Sequence, residues 1–249
     1  MRLRLLLTPL RNAPITAWLW VGLPLGAVAA QIAAKAVGED FYRRTMRSEL
    51  GLVENATVLL LLVALVTALR LFAARRRVAS AGLFGAFALV MALGCFFFAG
   101  EEASWGQHWA GFEPPADIAA RNEQGELNFH NDPVLETFLD QLPRNLLTAA
   151  ALLGGILVPL RRLRRGAPEC PRFDRPGLRA WIWPTVVCLP AAVVAVGVTL
   201  PKKAFRALDR QVPYLIDISP GETKELALAA FLMLYLLVLH RELAEVKAS

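Results

Sequence analysis

Residues 78–109 read VASAGLFGAFALVMALGCFFFAGEEASWGQHW. From Val78 to Gly100 there are 23 residues without a charge, and Glu101, Glu102, Gln107 and His108 then follow within eight positions. A helix needs about 20 apolar residues to cross the hydrocarbon core, so this run reads as a membrane span. Acids, an amide and an imidazole at the end of such a span are costly to place beside lipid, and side chains kept there at a cost usually serve a purpose. The stretch therefore predicts an all-α, polytopic membrane protein and puts a candidate site at the end of one of its helices.

Five further apolar stretches lie outward from it: Asn12–Ala34, Asn55–Leu69, Asn145–Leu160, Ala180–Pro201 and Leu226–His240. With 56% hydrophobic residues and no fixed-period repeat, the chain reads as one helical domain, 1–249. Its spans are expected at about 14–36, 53–70, 79–100, 145–161, 181–201 and 222–240, and the loop 101–144 carries the candidate site. Asp132-Pro133, followed by Leu135, Phe138, Leu139 and Leu142 at helical spacing, predicts a short interfacial helix that Pro143 ends. Ser219-Pro220-Gly221-Glu222 predicts the start of the sixth helix. Trp105, Trp109, Trp181 and Trp183 read as interfacial anchors.

Charge sets the expected orientation. Of 27 basic residues, 16 fall on the side that holds both termini and 10 on the other, with Lys35 at the end of the first span. Basic loops are retained in the cytoplasm, so both termini are expected inside a bacterial inner membrane. Only Glu169, Asp174, Glu242 and Glu245 among 21 acids share the basic side. The basic face predicts contact with anionic lipid rather than with nucleic acid. Cys95, Cys188 and Cys170 offer no exported pair for a disulfide. The N-terminal MRLRLLLTPLR and its apolar run resemble a secretory leader, but the run continues past Ala27-Val28-Ala29 and reads as the first span.

The stretches 55–69 and 226–240 hold 15 residues each and would rise only about 22 Å against about 30 Å of hydrocarbon, drawing flanking charges inward. This predicts an ionisable layer below the outer surface made of Lys35, Glu54, Glu101, Glu102 and Glu225, with Glu222 one turn above. Several carboxylates at one depth must share protons, pair with cations or bind a metal.

In the loop, Asn122-Glu123-Gln124-Gly125-Glu126-Leu127-Asn128-Phe129-His130-Asn131 alternates polar and apolar residues. An extended chain turns Asn122, Gln124, Glu126, Asn128 and His130 one way, and a helix aligns Asn122, Glu126 and His130; either puts Glu126 and His130 on one face. A carboxylate beside an imidazole can do acid–base work or bind a divalent metal such as zinc, although no HExxH or DxDxDG signature is present.

The two segments Gly100-Glu101-Glu102-Ala103-Ser104-Trp105-Gly106-Gln107 and Asn122 to Asn131 resemble those of a group of bacterial multi-pass membrane proteins with a GEExSWGQ motif and a following NxQxExNxHN motif. The resemblance covers about 30 residues and implies a shared site; no activity is assigned to that group. Membrane hydrolases of the alkaline ceramidase type, which hold zinc among their helices, offer a more distant analogy. This chain departs from them in having six spans and no HxxxH on its last helix.

The leading expectation is a metal-assisted hydrolase or transferase acting on a lipid or lipid-linked head group. Glu102, Glu126 and His130 are the candidate catalytic residues, and Glu101, Glu102, His108 and His130 the candidate metal ligands. Trp105, Gln107, Asn122, Gln124, Asn128 and Asn131 are the candidate substrate contacts. Two alternatives are a proton-coupled transporter, in which Lys35, Glu54 and Glu225 would matter most, and a non-catalytic subunit of a membrane complex.

Overall fold

A computed structural model describes residues 15–48, 50–122, 124–129, 132–166 and 171–245. His130, Asn131, Glu123, Cys170 and both chain ends lie outside the described residues. The described residues form helices and no strand. Six helices are long and apolar enough to cross a membrane, as in a multi-pass integral membrane protein: Trp18–Val37, Leu52–Arg77, Ala81–Glu102, Thr137–Arg165, Val186–Ala207 and Tyr214–Glu245.

The sixth helix is the hub. In its most apolar window 78% of residues are buried, against 44% or less in the other five, because it packs against the first, second, fourth and fifth. The second helix lies between the sixth and the third. Apolar side chains facing away from the bundle, such as Leu59, Leu93, Leu146 and Val193, are exposed, as expected where lipid is the solvent.

Two spans expected to be short are long. The second runs Leu52–Arg77 and the regular part of the sixth runs Pro220–Glu245, both reaching further toward the basic end than 53–70 and 222–240, with Glu54, Glu222 and Glu225 in the opening turns. Charges bound an apolar stretch without ending a helix; backbone signals do that, here Gly51 before the second helix and Pro220 opening the sixth.

Pro143 likewise does not end a helix. Thr137–Arg165 is continuous, with Asp132 Oδ1 accepting the Val134 N–H just ahead of it. Wide π-type turns occur at Trp18–Gly22, Thr137–Gln141 and Ala151–Leu157, and each contains the residue four positions before a proline: Pro24, Pro143 and Pro159. A proline cannot donate to that carbonyl and its ring presses on it; widening the preceding turn relieves the clash and lets the helix continue.

Gly155 marks a tight three-helix crossing. A Cβ built there would stand 2.7 Å from both Ala192 Cβ and the Phe231 ring, so the fourth, fifth and sixth helices approach each other through a missing side chain. Gly155→Val should therefore lower the thermal midpoint by an amount equivalent to about 2 kcal/mol, measured in detergent, whereas Gly197→Val meets open space and should cost far less.

Trp181 departs from the anchor reading. It is buried against Phe84 and Phe87 with ring centroids at 4.9 and 5.2 Å, and it forms part of the core at the basic end; Trp183 and Trp109 remain partly exposed.

Candidate functional site

The third helix stops at Glu102 and the chain turns sharply. Ser104, Trp105 and Gly106 have φ of 42°, 51° and 87°, three successive residues in the left-handed region. Two of them carry side chains, at about 1–2 kcal/mol each, so the turn must be held from outside. Trp105 holds it: its indole N–H donates to Glu101 Oε1 at 2.8 Å and its ring lies over Gly100, where a Cβ would sit 2.8 Å from a ring carbon. Phe96 and Phe97 close on the same ring edgewise. The helix thus does not continue to align Glu101 with His108, but the turn brings Ser104 to a buried position and places His108 behind it on the short helix Gln107–Ala110.

Asn122 and residues 124–129 then fold over this turn as irregular chain, with Gly125 at φ 70°. Asn122 is its internal brace. Its Nδ2 donates to the Asn128 carbonyl and to Asn128 Oδ1, while its Oδ1 accepts the N–H groups of Gln124 and Glu126. Two clamps tie the loop to the helix end: the Phe129 N–H donates to Glu101 Oε2 at 2.8 Å, and the Leu127 N–H donates to Gln107 Oε1 at 2.7 Å.

Glu126 is the residue this folding delivers. It is buried; its Oε2 accepts from the Ser104 hydroxyl at 2.8 Å and from Asn128 Nδ2 at 2.6 Å, and His108 Nε2 stands 3.3 Å from its Oε1. Asn128 Nδ2 also donates to Ser104 Oγ at 3.1 Å. Three side chains from two segments thus surround one carboxylate, an arrangement able to accept and return a proton.

Beside it opens a cavity of about 510 Å³ lined by Arg43, Arg47, Ser48, Glu54, Glu102, Ser104, Gln124, Glu126, Glu222 and Glu225. Four members of the expected ionisable layer meet here: Glu54, Glu102, Glu222 and Glu225. They are balanced by arginines, Arg47 on Glu222 at 3.3 Å and Arg144 on Glu225 at 3.0 Å, with Asp140 sharing Arg144. The other two members of the layer lie elsewhere. Glu101 faces Trp105 and the loop backbone. Lys35 is buried against the rings of Tyr42 and Tyr214, at 5.0 and 4.5 Å, and pairs with Glu39 at 3.3 Å. The Arg43 hydrogen bond, with a smaller contribution from Lys35, holds the Glu39 carboxyl below the usual carboxylate range. Near that pair, Gln31, Tyr42, Ser219 and Thr223 form a hydrogen-bonded set joining the first and sixth helices.

Of the residues expected to hold a metal, Glu101 spends its oxygens on Trp105 and Phe129, Glu102 turns into the cavity, His108 faces Glu126, and His130 lies outside the described residues. Among the described residues no three His, Cys, Asp or Glu side chains are grouped to hold a metal ion. Of the expected substrate contacts, Gln124 lines the cavity, while Trp105, Gln107, Asn122 and Asn128 make bonds that build the loop; Asn131 lies outside the described residues. In the sequence Ser104 has no glycine elbow, the usual mark of a nucleophile on a strained turn. The signal was Gly106 two residues on, which lets a left-handed turn form there.

Comparison with models of known protein families, with curated proteins and with solved structures finds no match for this chain.

Proposed function

We propose that this integral membrane protein is a hydrolase or transferase that takes the head group of a lipid or lipid-linked molecule into the cavity at its acidic end, with Glu126 as the acid–base residue. One observation carries this reading: the polar cavity adjoins a narrow apolar crevice through shared residues. Glu102 and Glu225 line both spaces; Asp140 and Arg144 stand with them at the polar mouth of the small crevice, and Thr57, Leu61, Phe98, Leu147, Leu228 and Leu232 wall the rest. A ligand polar at one end and apolar at the other matches the pair, and Arg47, which already pairs with Glu222, and Glu102 are wall groups able to make charge-assisted contacts with its head. The surplus of basic residues at the opposite end supports both termini being cytoplasmic in a bacterial inner membrane, with the basic face on anionic lipid and the cavity opening outward.

Native mass spectrometry of protein released from detergent micelles tests the proposal. Wild type should carry a co-purified lipid or lipid-linked species, and Arg47→Ala combined with Glu102→Gln should lower its occupancy about tenfold, the effect of losing roughly one charge-assisted contact. An identical lipid complement in both proteins would contradict it.

A further inference from the structure

We infer that Ser104 is the nucleophile of this site, with Glu126 as its base, and that the substrate class is a carboxylic ester of an amphiphile; the inference rests on the reading of the cavity as a site of hydrolysis or group transfer. Three independent observations meet at Ser104. Its hydroxyl donates to Glu126 Oε2 at 2.8 Å, it lines the cavity, and its backbone is held at φ 42° by the Trp105 and Glu101 contacts that follow and precede it. Strained backbone kept in place by its surroundings is concentrated at reacting groups. A serine that merely plugged the loop would need neither a carboxylate as acceptor nor a place in the cavity wall.

The position also fits the substrate class. Glu102, two residues before Ser104, lies where the polar cavity meets the apolar crevice, and an amphiphile's ester carbonyls lie where its head joins its chains. Ser104 Oγ attacks the carbonyl carbon, forming a C–O bond while its proton passes to Glu126 Oε2. The tetrahedral adduct breaks its bond to the leaving alcohol, which takes that proton from Glu126. A water molecule then attacks the acyl-serine ester, giving its proton to Glu126; the acid leaves and Ser104 Oγ recovers the proton. His108, against the other carboxylate oxygen, and Asn128, which donates to both Ser104 and Glu126, keep the base aimed at the hydroxyl.

The full chain in detergent, treated with an alkyl fluorophosphonate, tests this by intact mass and peptide mapping. The expected result is one adduct, on Ser104, absent from Ser104→Ala and formed about a hundredfold more slowly or less in Glu126→Gln. Ser80→Ala, at the other end of the bundle, should label at the wild-type rate. No adduct on Ser104 in the wild type, or Glu126→Gln labelling as fast as wild type, overturns the inference; if Glu126→Gln fails to fold, the position of the wild-type adduct decides alone. Lipid retention separates the two readings. Ser104→Ala that keeps its lipid but loses the adduct supports both, and a Ser104 adduct on protein that retains no lipid overturns the head-group reading while leaving the nucleophile in place.

Discussion

Arg144→Ala should be among the most damaging single substitutions at the acidic end. Arg144 bonds Asp140 on its own helix and Glu225 on the sixth, and Glu102 is close enough for its charge to act on the same group. Glu54 acts on Glu102 in turn. Removing the guanidinium that Asp140 and Glu225 share leaves buried negative charge unbalanced, a loss of about 3 kcal/mol or more. Thermal unfolding in detergent should show a large fall for Arg144→Ala and a smaller one for Arg144→Lys, which keeps the charge but not the two-pronged geometry. Combining Arg144→Met with Asp140→Asn and Glu225→Gln should recover much of the loss, since the arginine's task is to neutralise. A midpoint unchanged by Arg144→Ala would show that the cluster is hydrated and does not bind the helices together.

Glu101→Ala should release the loop. Glu101 is buried, and its two oxygens accept from Trp105 Nε1 and from the Phe129 N–H, each at 2.8 Å. Bonds to a carboxylate contribute about 1.5–3 kcal/mol apiece, and both donors would be left without that acceptor. The left-handed turn at Ser104 and Trp105 would then lose the contact that offsets its strain. Trypsin should cut at Arg121 many times faster in Glu101→Ala than in wild type, while Glu54→Gln, whose residue lies across the cavity, should leave the cleavage rate near wild type. Equal cleavage in wild type and Glu101→Ala would remove Glu101 from the account as a clamp.

The six spans were legible in the sequence because charge is excluded from hydrocarbon. Their lengths were less legible because helices continue through charges that can reach polar surroundings. Glu54 and Glu225 bound the apolar stretches in the sequence, and with Glu222 they line a shared cavity from the opening turns of the second and sixth helices, a meeting that the sequence does not show. Pro143 looked like a terminator, and the wide turn at Thr137–Gln141 absorbs it. Glu126 and Asn128, which fall in one polar row of the alternation, both bond Ser104, while His130 of the same row lies outside the described residues. The alternation could not show that Asn122 and Asn128 spend their amides on each other, because that depends on the bend at Gly125. Lys35 lies outside the layer for a related reason: Glu39, four residues on and just past the helix break at Gly38, offers a near partner, and the Tyr42 and Tyr214 rings shelter the ammonium.

Glu126 reaches Ser104 because Asn122 and residues 124–129 fold against the end of the third helix. Amide hydrogen exchange of the wild-type chain in detergent micelles measures that contact directly at two backbone positions, the N–H groups bonded to Gln107 and Glu101. Slow exchange at Leu127 and Phe129, comparable to that of the last turn of the third helix, is the result predicted. Exchange at both positions as fast as in an unstructured peptide would mean that the loop is open and the site does not exist as described.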